Sequence, residues 1–185
     1  MALRRFLGLV PLGHVDLQVL QHLCTAIAEF LSLPVRILSP RPLPPHTYHL
    51  RRNQYHSTQL LEYLLSEDHD EAFRVLGITA VDLHIPIFTF VFGEAQLDGK
   101  AAIISTFRPG GGADNIRPPQ PILLERLIKL SLHELGHTFN LPHCRREGCL
   151  MGFAANLEVL DQKNVGLCEY CRILLADYFN AVNKL

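Results

Sequence analysis

His133-Glu134-Leu135-Gly136-His137-Thr138-Phe139-Asn140-Leu141-Pro142-His143-Cys144 is the stretch on which the reading of this chain turns. It ends a run from Pro121 to Asn140 in which Ile122, Leu123, Leu127, Ile128, Leu130, Leu132 and Leu135 recur at helical spacing. Proline at the start suits a first turn, where a missing N–H costs nothing. Residues four apart on a helix lie ~40° apart around the axis and one turn apart along it. The imidazoles of His133 and His137 can therefore reach one metal ion from a single face, with Glu134 placed beside a bound water rather than on the metal. Asn140 tolerates the left-handed turn that must follow. Pro142 stops a return to helix, so His143 can point back as a third ligand. Three nitrogens on zinc leave the fourth position to a water whose pKa falls to ~7, which Glu134 would deprotonate for attack on a peptide carbonyl.

Beyond this stretch, Cys144 and Cys149 form one close pair, and Cys168 and Cys171 another. Together they supply four thiolates, enough for a closed tetrahedral zinc with no position for water. Such a site would tie the turn after His143 to the last helix; the alternative is four reduced, unligated thiols. Two close pairs in a reducing cytosol favour metal over disulfides. Cys24 stands alone among Leu20, Leu23 and Ile27 and reads as a buried thiol of a helix core. His46, His49 and His56 lack ligand spacing and read as solvated.

The 185 residues are enough for one domain with a sizeable core, and the formal net charge of −1 gives no reason to expect nucleic acid. The longest apolar run, Ile85 to Phe92, falls far short of the ~20 residues of a spanning helix. Arg4-Arg5 followed by Phe6 to Val10 faintly imitates a leader, but Pro11 follows at once without a cleavage site. The expectation is a soluble cytoplasmic monomer with no membrane partner.

Arg5 to Pro11 reads as a strand, Asp16 to Leu31 as an amphipathic helix and Val35 to Leu38 as a second strand, an α/β unit. A proline-rich loop, Ser39 to Pro45, leads to a short helix, Ser57 to Leu65. Three more strands are expected: Arg74 to Leu83, interrupted by Gly77, then Phe88 to Phe92 and Ala101 to Thr106. Gly110 to Pro119 reads as a flexible loop. Helices over Asn156 to Lys163 and Cys168 to Val182 complete the chain. The expected organisation is one catalytic domain, 1–185, with an N-terminal subdomain 1–140 and a C-terminal subdomain 141–185.

At these residues the chain resembles the archaemetzincins, a branch of the metzincin clan of zinc peptidases. Their hallmark is HExxHxxGxxHC, four residues, a cysteine, a hydrophobic residue and Met, then CxxC. Here His133 through Cys144, Cys149-Leu150-Met151 and Cys168-Glu169-Tyr170-Cys171 match it. Phe90-Val91-Phe92-Gly93 and Asp161-Gln162-Lys163 are also similar. The one departure is Asn140 in place of glycine, tolerable because Asn adopts the same backbone angles. The resemblance implies an α/β (α+β) metzincin-like fold, with a twisted mixed sheet and the active-site helix flooring a cleft. It also implies a small helical C-terminal lobe tied by a four-cysteine zinc, and a Met-turn at Met151 beneath the histidines. Ala101 to Thr106 would be the antiparallel edge strand pairing with an extended substrate.

The expected function is a zinc metallopeptidase, with aminopeptidase action as one form it could take. Two Zn2+ are expected, one catalytic and one structural, and a peptide or protein substrate. Two alternatives stay open: a zinc-stabilised peptide-binding module without proteolysis, and a zinc amidase on a non-peptide substrate. No inhibitory cysteine precedes the domain, so no zymogen latency is expected.

Overall fold

The computed structural model describes residues 6–69 and 72–182. In chain order the elements are β1 (Leu7–Leu12), α1 (Leu17–Leu31), β2 (Val35–Ile37), a 3-10 turn (Pro45–Thr47), β3 (Tyr48–His49), β4 (Gln54–His56) and α2 (Ser57–Ser66). They continue with β5 (Arg74–Thr79), β6 (Leu83–His84), β7 (Gly93–Ala95), β8 (Ala101–Ser105), α3 (Gln120–Thr138), α4 (Leu157–Asp161) and α5 (Glu169–Val182). The expected first strand is β1; Arg4 and Arg5 lie outside the described residues.

The β1–α1–β2 unit forms as its pattern requires. Asp16 caps α1 by accepting the Gln18 N–H at 2.7 Å, and Ser32 ends the helix at φ 52°. Leu20, Leu23 and Ile27 face the sheet, with Cys24 half-buried beside them. A five-stranded sheet runs β2-β1-β5-β8-β7, parallel except for antiparallel β7 at one edge. Alternation along the strands serves two layers. Leu9, Leu76, Ile78, Ala102 and Ile104 meet α1 and α3, while Val10, Leu12, Val75 and Ile103 meet α2. Gly77 lets α2 approach closely, since a Cβ there would lie 2.4 Å from Leu64 Cδ1.

Three strand expectations are corrected. The run Arg74 to Leu83 divides: β5 stops at Thr79, and β6 joins a separate three-stranded sheet, β3-β4-β6. Between them Asp82 accepts two bonds from Arg108, both 2.7 Å, and one from Gln54 at 2.8 Å. Phe88 to Phe92 forms no regular strand. Arg52 donates to the carbonyls of Phe88 and Thr89 at 2.7 and 2.8 Å, so this backbone is held by a side chain rather than a ladder. Ala101 to Ser105 is internal, between β5 and β7; the edges of this sheet belong to β7 and β2. No described helix is long and apolar enough to cross a membrane.

Candidate metal centre and active site

The turn after α3 is a Schellman motif. The Asn140 N–H donates to the His137 carbonyl and the Leu141 N–H to the Gly136 carbonyl, each at 3.0 Å, with Asn140 left-handed at φ 63°. The turn also fixes a ring, because the Leu141 carbonyl lies 2.7 Å from His137 Nδ1. His133 Nδ1 lies 2.8 Å from the Leu150 carbonyl. A carbonyl can only accept, so each Nδ1 carries the proton and each Nε2 keeps its lone pair.

Those two Nε2 atoms face each other at 3.1 Å. Two lone pairs held so close repel unless a cation lies between them. Burial drives the rings away from protonation, His133 down to about 3. A proton is therefore a poor candidate for that cation, and a divalent metal fits. His143 joins them from beyond the turn: one nitrogen from each of the three rings falls within 4.8 Å of the others. Three neutral imidazoles are a donor set suited to zinc.

Glu134, on the same helix, is 7% exposed, and burial first, then the Glu94 carboxylate, push its pKa up to about 8. Gly93 of β7 makes room for it, since a Cβ there would lie 2.8 Å from Glu134 Cγ. Both line a cleft of about 390 Å³ with Phe88, Phe90, Phe92 and Phe153 on its walls.

Met151 is fully buried with Sδ against the helix at Gly136, where a Cβ would come within 2.5 Å of it. The thiols of Cys144, Cys149, Cys168 and Cys171 converge behind this turn, all within 4.8 Å. The Cys144–Cys168 and Cys149–Cys171 sulfur separations are 3.8 Å. That is too long for disulfides and equal to the edge of a tetrahedron with metal–sulfur bonds of about 2.3 Å. Backbone N–H groups of Arg146 and Cys168 point at Cys144 and Cys149 sulfurs, each at 3.4 Å. Hydrogen bonding, first from the Cys171 amide, lowers the Cys168 thiol to about 7, while burial raises Cys149 and Cys171.

The three histidines and four cysteines singled out from the motif are thus brought into two adjoining clusters. Sequence reasoning missed Glu94 and gave no role to Gly93 and Lys163, which it noted only for their resemblance; all three line the cleft from distant segments. It also misjudged His56, whose Nδ1 is buried and unpartnered against the ring of His84, itself 2% exposed.

A mixed sheet whose longest helix turns two imidazoles and a buried carboxylate into an apolar cleft belongs to the class of zinc-dependent peptidases. The particular family follows from comparison with known proteins: residues 23–177 match Peptidase family M54, and the chain belongs to it. The archaemetzincin of Methanopyrus kandleri is 38% identical over 152 residues, 80% of this chain and 81% of that one. That of Methanocaldococcus jannaschii is 33% identical over 167 residues, 90% of each. The crystal structure of the M. kandleri protein matches with a TM-score of 0.85 over 96% of both chains at 34% identity. The Archaeoglobus fulgidus archaemetzincin complexed with malonate matches with a TM-score of 0.81 and 28% identity, over 91% of this chain and 99% of that one. The resemblance read from the motif is borne out, as are the fold class and the assignment as a zinc metallopeptidase.

Proposed function

We propose that His133, His137 and His143 hold the catalytic zinc, that Glu134 is the general base, and that the four cysteines hold a second, structural zinc. The observation that carries this reading is the 3.1 Å approach of two unprotonated Nε2 atoms beside a buried carboxylate. Zinc bound there supplies Lewis acidity, polarising the scissile carbonyl and lowering the pKa of a water to ~7. Glu134 ionises more readily beside a cation than its burial alone allows. Its carboxylate then takes the proton of the attacking water at one Oε and returns it to the leaving amine nitrogen. Gly93–Ala95 offers an open strand edge to an extended peptide, and the aromatic walls exclude bulk water from the reacting bond. Asn140 and Met151 keep His143 and the helical pair in register. Residues 1–185 act as one catalytic domain, with subdomains 1–140 and 141–185, in a compartment reducing enough to keep the thiols free for metal, the cytoplasm.

The test is zinc analysis with peptide-library cleavage for wild type and Glu134→Gln. Two zinc ions per chain in both proteins, with cleavage lowered about 10²- to 10⁴-fold in the variant, is the expected result. Undiminished cleavage removes Glu134 as the base, and fewer than two zinc ions after full loading removes the second site.

A further inference from the structure

The cleft does not end at the histidines. A second cavity of about 600 Å³ adjoins it at Gly152 and Phe153, between residues 144–148 and 162–164. Lys163, Gly152 and Phe153 line both spaces. Backbone bonds lock the two walls together: Asn164 N–H donates to the Gly148 carbonyl at 3.0 Å, and Leu150 N–H to the Gly166 carbonyl at 2.9 Å.

The charges on this passage are one-sided. Lys163, Arg145 and Arg146 line it against a single carboxylate, Glu147. Among the described residues none of the three cations has an ion pair or a side-chain hydrogen bond. Lys129, the other cation in the cleft, is spent on Glu125 at 2.6 Å and the Asp161 carbonyl at 3.1 Å. Gly152 leaves the space Lys163 needs, since a Cβ there would lie 2.5 Å from its Nζ. Lys163 lines the same cleft as His133, His137 and His143, so its ammonium is within electrostatic reach of a bond lying over the three imidazoles.

We propose that Lys163, with Arg145 and Arg146 beyond it, binds a carboxylate of the peptide substrate, so that the cleft selects peptides carrying a negative charge close to the cleaved bond. The inference rests on the peptidase reading above and gives it a substrate class. The other charges lining the cleft are Glu134, Glu94 and the ion-paired Lys129, so an ammonium without an ion pair is the group there that attracts an anion. The carboxylate is either a free C-terminus or an Asp or Glu side chain. Lys163 also feels the sulfurs of Cys144 and Cys149. A purely structural role, balancing the charge of the thiolates, is therefore the competing account.

The test uses the zinc-loaded full chain and three versions of one cleaved peptide: free C-terminus, amidated, and amidated with a Glu near the bond. Wild type is expected to favour an anionic version, the preferred one identifying the source of the carboxylate. Lys163→Gln is expected to raise KM for that peptide about 10- to 100-fold, as loss of a charged hydrogen bond does. The neutral peptide should lose much less, and the zinc content should stay at the wild-type value. Arg145→Gln/Arg146→Gln, confined to a surface loop, is expected to weaken the same preference less and to reduce its salt dependence. Equal handling of all three peptides by wild type overturns the proposal. So does a Lys163→Gln loss that falls equally on all three or comes with loss of zinc. Calorimetric binding of the three peptides to Glu134→Gln keeps the two readings apart. An anion preference there that Lys163→Gln abolishes upholds this site even if no cleavage is found, and its absence sinks the site even if cleavage is.

Discussion

The amide of Cys144 donates to the carbonyl of Met151 at 2.9 Å, closing a loop that carries His143 at one end and Cys149 near the other. The neighbouring Leu150 carbonyl meets His133 Nδ1. The two clusters therefore share a frame, and disturbing one should be felt at the other. Cys168→Ser, remote from the imidazoles in sequence, is expected to lower the zinc content from two ions to one. The remaining ion should be held about 10- to 100-fold more weakly, the usual cost of losing outer support for a metal ligand. Chelator competition followed by metal analysis reads both; unchanged affinity at the histidines would show that the frame does not couple them.

At Gly136 two effects compete. Alanine favours the helix by ~1 kcal/mol, but its Cβ would lie 2.5 Å from Met151 Sδ in a fully buried contact. Overpacking of that kind costs about 1–3 kcal/mol, so Gly136→Ala should be destabilising. Thermal unfolding of Gly136→Ala, Met151→Ala and the double variant forms a cycle in which the alanine penalty should vanish once Met151 is removed. A penalty that survives in the double variant would place the strain elsewhere.

The left-handed Asn140 yields a graded series. Asn140→Gly relieves backbone strain while adding unfolded-state entropy, so stability should change by less than ~0.5 kcal/mol. Asn140→Val forces a β-branched residue to φ 63° and should cost about 1–3 kcal/mol. Because His143 lies three residues on, zinc retention at the histidines should fall with it. Denaturant midpoints and zinc content follow the series, and a valine variant as stable as wild type would refute it.

Asp161 accepts bonds of 2.7 and 2.6 Å from Arg126, which hold its carboxyl below the usual range. A depressed folded-state pKa adds stability that is fully present above the unfolded value of ~3.9 and is lost as pH falls through the folded value. The stability gap between wild type and Asp161→Asn should thus be constant from pH 7 to about 5 and close below about 4. Asp161 is 40% exposed, so the gap should be no more than ~1 kcal/mol. Urea unfolding of both proteins across that range measures it, and a gap that widens on acidification would contradict the sign.

What could be read in advance was what depends on local spacing. The period of Leu20, Leu23 and Ile27 fixed α1, and the four-residue step from His133 to His137 placed two rings together. Asn140 followed by Pro142 announced the turn. What could not be read depends on partners far along the chain. Phe88 to Phe92 has a strand's composition, yet Arg52 and Gln54 capture the carbonyls of Phe88 and Thr89, and only single backbone bonds tie Val91 to β6 and Phe92 to β8. Arg74 to Leu83 looks continuous until Gln54 and Arg108 claim Asp82. Lys163 bears on the histidines only because loops around residues 148 and 164 are bonded across space. His84 shows no local sign of its burial.

The edge of the main sheet that lines the cleft is only three residues long, Gly93–Ala95, the far edge, β2, is no longer, and β8 is flanked on both sides. A short edge can accept one passing segment of chain but is a poor template for lateral growth of sheet upon sheet. This protein can therefore leave its ladder exposed where a ligand strand would lie without inviting its own copies to stack into insoluble assemblies.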